Sequence, residues 1–206
     1  MESFKMKLSI GICSLPIRIG KYRDLIDNLN NQIAECDAQE FVEIISLTDC
    51  KTISVGKKRN IIKSIASGDY LCYIDDDDRV SEDYIESILL AIQSGAEVIT
   101  FRGEYADENG VVDFKISTMY GNKNEATILY RLPNHICPVC RSIYSSCDFT
   151  DKNYQEDSDY SNCINKFVKN EFHIAKKLYF YDFDAIGTQT HPSSVNTAFI
   201  IKNKQL

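Results

Sequence analysis

Residues 56–80 read GKKRNIIKSIASGDYLCYIDDDDRV. A glycine and three cations open the stretch, a segment with helical apolar spacing follows, and Ser67-Gly68-Asp69 breaks it. The chain then resumes as a five-residue apolar run, Tyr70 to Ile74, that stops at four consecutive aspartates. A short, wholly apolar run bounded by turn residues predicts a strand buried on both faces of a parallel sheet. The preceding spacing predicts a helix from about Val55 to Ala66, with Gly68 as its C-cap.

The pattern repeats on both sides. Lys7 to Cys13 predicts a first strand, and residues 20–36 predict a helix on the spacing of Leu25, Ile26, Leu29, Ile33 and Ala34. Phe41 to Leu47 predicts a second strand ending at Thr48-Asp49. Ser81 to Ser94 predicts a helix capped by Ser81 with Glu82 and Asp83 in its first turn, and Ala96 to Phe101 a fourth strand. This β-α-β-α-β-α-β order predicts an α/β fold with a parallel sheet and helices on both faces. Residues 102–131 read as short β-like runs between polar turns, and residues 134–149 as an apolar stretch rich in cysteine. Residues 156–170 read as a helix, Leu178 to Phe183 as a last strand, and a loop with Gly187 and His191 follows.

Bulk properties narrow the class. The chain has 206 residues, 44% of them hydrophobic, which suits one domain with a proper core. No run approaches the roughly 20 apolar residues that span a bilayer, so no membrane association is expected. The apolar N-terminal run is short and β-like, hence a strand and not a signal peptide. A net charge of −7 weighs against tight, non-specific binding of nucleic acid. The eight cysteines, several inside strand-like runs, read as buried free thiols in a reducing, cytoplasmic compartment. Cys137-Pro138-Val139-Cys140 lacks the second pair that a zinc site would need.

Four adjacent carboxylates are stable only when solvated, paired or bound to a cation. Strand-like alternation sends Asp75 and Asp77 to one side and Asp76 and Asp78 to the other. Ligands of open α/β sheets bind beyond the carboxyl ends of the strands, which is where this run sits. Hard oxygen ligands there suit Mg²⁺ or Mn²⁺ bridging to phosphate. The bland alternative is an acidic surface turn. Gly56 to Asn60 tilts the balance, because a helix N-terminus attracts phosphate, Gly56 allows close backbone approach, and Arg59 can fork to a diphosphate.

The combination of Gly56, Arg59, Asn60, Ala66, Gly68, Asp69, Tyr70, Asp75, Asp77 and Asp78 resembles the nucleotide-sugar signature of family 2 glycosyltransferases, with their Asp-x-Asp (DXD) motif. The resemblance implies a GT-A fold, a Rossmann-like mixed sheet flanked by helices, over residues 1–206 as a single domain. Residues 1–101 would form the nucleotide-sugar half and residues 102–206 the acceptor and catalytic half. By position it implies that Ser14, Pro16, Arg18 and Asp49 contact the nucleoside, and that Arg59 and Asn60 position the nucleotide. Asp77 would be the principal metal ligand, with Asp75 on the ribose or metal side, His191 completing the metal site and Asp76 in support. His135 would face the acceptor or donor sugar. Asp157 would be the base that deprotonates the acceptor hydroxyl, with Glu156 orienting it.

The expected activity is therefore a metal-dependent, inverting transfer of one sugar from a UDP-sugar, with Mn²⁺ or Mg²⁺, to a glycan, protein or modified nucleobase. The acting species would be a monomer or homo-oligomer. A nucleotidyltransferase and a non-catalytic nucleotide-sugar-binding module are the rival readings. The chain has no tryptophan, so tyrosine and phenylalanine would have to supply any stacking surface for a sugar.

Overall fold

The computed structural model describes residues 4–182, apart from 109 and 126, and the backbone of 198–202. The first strand, β1 (Leu8–Ser14), is buried along its whole length. It lies between β2 (Val42–Asp49) and β3 (Tyr70–Tyr73), parallel to both, with Ile10 opposite Ile44 on one side and Cys72 on the other. The helices α1 (Ile19–Glu35) and α2 (Val55–Ile65) make the connections, as the apolar spacing predicts.

The expected parallel sheet is only partly present. A short strand, β4 (Arg79–Val80), follows the aspartates, and α3 (Tyr84–Ile92) leads into β5 (Val98–Asp107). β5 does not pair with β3. Residues 123–124 and 128–131 form β7 and β8, and Val139–Cys140 forms β9, which is inserted between β3 and β5 and antiparallel to both. The apolar stretch that precedes β9 in sequence is thus delivered to the middle of the sheet. β5 runs on into a hairpin with β6 (Gly110–Ile116), and β8 lies parallel to β6. After α4 (Arg141–Tyr144) and α5 (Glu156–Ile164), β10 (Glu171–Asp182) pairs in parallel with β5 and antiparallel with β4. β11 (Ala198–Lys202) returns to the edge of β2. The strand order is β11-β2-β1-β3-β9-β5-β6-β8-β7, a mixed sheet.

Three local expectations are corrected. Gly68 is not the C-cap of α2, which ends at Ala66 in extended conformation. Its smallness serves a close approach, since a Cβ there would sit 2.5 Å from the backbone nitrogen of Ser9. Ser81 does not cap α3; its hydroxyl donates to Asp83, and buried Gln32 of α1 accepts from the Ile85 N–H instead. The helix expected over 156–170 ends at Ile164.

The cysteines also differ from the reading as free thiols. Cys13, Cys72 and Cys137 are buried and free, but Cys147 and Cys163 form a disulfide across 16 residues of sequence. The bridge ties α5 to the segment before it. Among the described residues, no helix is long and apolar enough to cross a membrane.

Closing a loop of that length stabilises by roughly 3 kcal/mol in the chain-entropy account. Cys163→Ser should therefore lower the melting temperature by roughly 6–12 °C for a domain of this size. Calorimetry with and without reductant tests this, and identical melting in both states would show that the bridge contributes nothing.

Candidate active site

The aspartate run leaves β3 as a turn, and its side chains alternate as the sequence predicts. Asp76 and Asp78 are buried, while Asp75 and Asp77 are half-buried. Asp76 accepts from the Leu15 N–H at 3.0 Å and from Arg18 Nη1 at 2.9 Å, so it ties the turn to the loop after β1. Asp78 accepts from the Tyr179 hydroxyl at 2.6 Å, and that hydroxyl accepts from the Asp75 N–H at 3.2 Å. Burial beside Asp78 pushes the Tyr179 phenol well up. Asp77 pairs with the same Arg18 Nη1, at 2.9 Å. Burial and the charges of Asp75 and Asp76 outweigh Arg18 and push the Asp77 carboxyl up to about 6.

Arg59 is the hub. Its guanidinium donates from Nη1 to Glu156 at 2.8 Å and from Nη2 to Asp75 at 2.8 Å. Burial opposes ionisation of Asp75, but Arg59 and His135 overcome it and hold the carboxyl well below the usual range. Arg59 is thus engaged with carboxylates and does not present its fork to a diphosphate. The start of α2 is likewise not open to phosphate. The Val55 N–H donates to Asn153, the Gly56 N–H to the Lys152 carbonyl and the Lys57 N–H to Ser54, while Ser54 itself donates to Asp151. Gly56 is needed because a Cβ would lie 1.9 Å from the Thr150 carbonyl oxygen. Asn60 donates to the Phe149 carbonyl and accepts from its N–H, both within 2.9 Å. Gly56, Arg59 and Asn60 therefore clamp the strap 149–156 and set the position of α5. The free backbone N–H groups expected at this helix start are taken by protein.

The nucleoside-side candidates have equally definite places. Asp49 is buried and pairs with Lys58 Nζ at 2.6 Å, and its other oxygen accepts from the N–H groups of Thr52 and Ile53. Burial opposes its ionisation, but Lys58 and the turn outweigh that and lower its pKa. Its carboxylate is therefore engaged within the protein. Lys58 was not singled out from sequence, although it shares a helix face with Ile62, four residues on. Ser14 is buried, with no partner for its hydroxyl among the described residues. Pro16 opens a 3₁₀ turn that ends at Arg18.

A cavity of about 370 Å³ lies beyond the aspartates. Asp75, Asp78, His135, Asp157, Tyr105 and Tyr181 all reach it. Its volume falls in the range of small-molecule sites. Asp157, in the first turn of α5, is half-buried and, among the described residues, accepts only from the adjacent Ser158 N–H. Its neighbour Glu156 points the other way, to Arg59. His135 is buried, with Nε2 3.5 Å from Asp75 and no hydrogen-bond partner on either ring nitrogen among the described residues. Tyr105 and Tyr181 stack at 5.3 Å, an aromatic surface that the sequence marked only as tyrosines in two strands. His173, outside this cavity, bonds Thr100 at 2.9 Å.

The metal candidates fit incompletely. Among the described residues no three His, Cys, Asp or Glu side chains are grouped to hold an ion. Asp75 is engaged by Arg59, and His191 lies outside the described residues. Asp77 remains the fitting donor: a hard oxygen ligand whose charge is under-compensated, which a cation would relieve.

This architecture is that of several solved structures. S. aureus TarS 1-349 superposes with a TM-score of 0.60 at 13% identity, over 86% of this chain and 60% of that one. Its complex with UDP gives 0.62 at 14% identity, over 86% and 61%. The complex with UDP-GlcNAc gives 0.55 at 13%, over 93% and 62%. The chain thus spans about 60% of the length of the TarS 1-349 chains it matches. The fold is GT-A, a mixed α/β sheet flanked by helices. The family model for glycosyl transferase family 2 matches residues 32–149, and the chain belongs to that family. No curated protein sequence matches it.

The Arg59 hub and the Asp77 shift each have a measurable consequence. Arg59→Leu leaves two carboxylates without their cation and should cost about 3–5 kcal/mol, the range for breaking a buried ion pair. Adding Glu156→Leu should recover part of the loss; a double variant no more stable than the single one contradicts the hub. In metal-free buffer the folded protein holds a proton on Asp77 between its ordinary 3.8 and about 6, where the unfolded chain has lost it. Stability from this group therefore falls as pH rises through that window. Asp77→Asn should remove the fall, leaving the variant relatively more stable at pH 7 by roughly 1 kcal/mol after allowance for solvent screening. Parallel melting curves for the two proteins from pH 4 to 7 would rule this out.

Proposed function

We propose that this chain transfers one sugar, with inversion, from a UDP-sugar to an acceptor hydroxyl, and that Asp157 is the general base. The observation that carries the reading is the division of labour within Glu156-Asp157. Glu156 is locked to Arg59, whereas Asp157 faces the cavity that Asp75 and His135 also line. Family membership supports glycosyl transfer, and the complexes of TarS with UDP and UDP-GlcNAc support a UDP-sugar donor. Residues 1–101 would bind the donor, and residues 102–206 the acceptor, as one transferase unit. The acceptor would offer the hydroxyl of a glycan, protein or modified nucleobase, and the unit would act as a monomer or homo-oligomer. Six free thiols favour a cytoplasmic setting, against which the single disulfide stands.

The acceptor hydroxyl oxygen would attack the anomeric carbon as the bond from that carbon to the diphosphate oxygen breaks. Asp157 takes the hydroxyl proton. Glu156, held by Arg59, fixes the first turn of α5 so that the carboxylate meets the reacting oxygen. His135 and Asp75 bind at the sugar and ribose side. A bound Mn²⁺ or Mg²⁺ would neutralise charge on the leaving diphosphate, and Asp77, with Asp75 and His191 as further candidates, would hold it.

Loss of a general base typically costs 10²–10⁴-fold, so Asp157→Asn should slow UDP release by about that factor while UDP binding is kept. Near-normal turnover in this variant would remove Asp157 from the role. A thermal-shift panel of nucleotides and nucleotide sugars with and without Mn²⁺ checks the donor: UDP-sugars should stabilise only with metal, and Asp77→Ala should abolish the effect. Release of pyrophosphate in place of UDP would point to nucleotidyl transfer.

A further inference from the structure

The cavity has an electropositive side as well as an acidic one. Its carboxylates come from the end of β3 and the start of α5. Three polar donors come from a different part of the chain: Asn122 ahead of β7, Arg131 at the end of β8, and Asn134 just beyond. Each has its orientation fixed by its own backbone surroundings. Asn122 Oδ1 accepts from the Leu132 N–H at 2.8 Å, and Asn134 Oδ1 from the Ile136 N–H at 3.2 Å. With both carbonyl oxygens occupied, the amide NH₂ groups are the atoms left to bond a ligand. Arg131 Nη1 is held by Asn124 Oδ1 and the Tyr130 carbonyl at 2.8 Å and by the Lys123 carbonyl at 3.3 Å.

Arg131 differs from the two arginines that meet the aspartate run. Arg18 faces Asp76 and Asp77, and Arg59 faces Asp75 and Glu156. Arg131 pairs with no carboxylate among the described residues, although it is half-buried, and burial lowers its pKa without a compensating charge. A half-buried guanidinium anchored only by neutral acceptors is a cation awaiting an anion. The donor's diphosphate is already provided for, since the sugar-nucleotide reading places it by Asp77.

We propose that Arg131, with the amides of Asn122 and Asn134, recognises an oxyanion carried by the acceptor, so that the acceptor substrate is a hydroxyl compound bearing a phosphate or carboxylate near the reacting hydroxyl. This rests on the sugar-transfer reading for its place in the reaction, but the binding it asserts does not. The stacked Tyr105 and Tyr181 supply the apolar face against which the carbon skeleton lies, and Asp157 meets the hydroxyl. Recognition of the charge at one end and deprotonation at the other would select acceptors of one length.

The test is ligand-observed NMR titration of the whole chain with two matched pairs of probes, glycerol 3-phosphate against glycerol and glucuronate against glucose. The wild-type protein should bind at least one anionic probe about tenfold or more tighter than its neutral partner, a difference of the size expected for one charge-assisted contact. Which pair shows the preference separates phosphate from carboxylate. Arg131→Gln should erase the preference and leave the Kd for UDP unchanged, while Arg131→Lys, which keeps the charge and serves as the folding control, should retain part of it. Equal binding of charged and neutral probes to the wild type overturns the proposal. So does a parallel loss of UDP affinity in Arg131→Gln, which would assign the residue to the donor. A preserved anion preference with no turnover of any nucleotide sugar would sink the transfer reading and leave the anion site standing.

Discussion

One guanidinium holds this site together. Arg59 joins Asp75, at the end of a central strand, to Glu156, which starts a helix and lies 97 residues beyond Arg59 itself. The guanidinium is buried, and it is compensated there by both carboxylates. The surrounding structure is arranged to make this pairing possible. Gly56 lets the strap pass over the helix start, Asn60 fixes Phe149 through two hydrogen bonds, and Phe149 stacks on Tyr160 of α5 at 4.0 Å between centroids. The strand end at Asp75 and the helix α5 are thereby one mechanical unit.

The same constraint explains the chemistry of the acidic run. Four aspartates in sequence do not form four equivalent ligands. Asp75 is drawn to Arg59, Asp76 to the loop after β1, and Asp78 to Tyr179, so three of them build the turn. Asp77 shares Arg18 with Asp76, and burial and its acidic neighbours leave its charge under-compensated. The repulsion that four carboxylates would suffer is relieved by distributing partners around the first three and concentrating what remains on the fourth.

Much of this was legible in the sequence where local patterns act. The apolar run 70–74 and its flanking helices gave the central parallel strands, and the alternation of buried and half-buried aspartates follows from strand geometry. The role of the block at Gly56 to Asn60 was legible as important but not in kind. A glycine and an arginine at a helix start look alike whether they receive phosphate or a protein strap, and the partner residues 149–156 are too distant in sequence to be seen. The insertion of β9 was hidden for the same reason, since two residues carry no periodicity. Arg131, Asn122 and Asn134 could not be grouped at all, because their neighbourhood is created by the β6–β8 pairing.

The long β5 strand leaves the central sheet and carries β6, β8 and β7 beyond it. That extension supplies much of the rest of the cavity wall, with Phe114, Ile116, Asn122, Leu129 and Arg131. A chain organised this way can vary one wall of its cavity by altering a peripheral hairpin, while the buried charges around Arg59 stay untouched. Divergence among such proteins would then accumulate in residues 105–131, where the cavity can be reshaped without disturbing the ion pairs of Arg59.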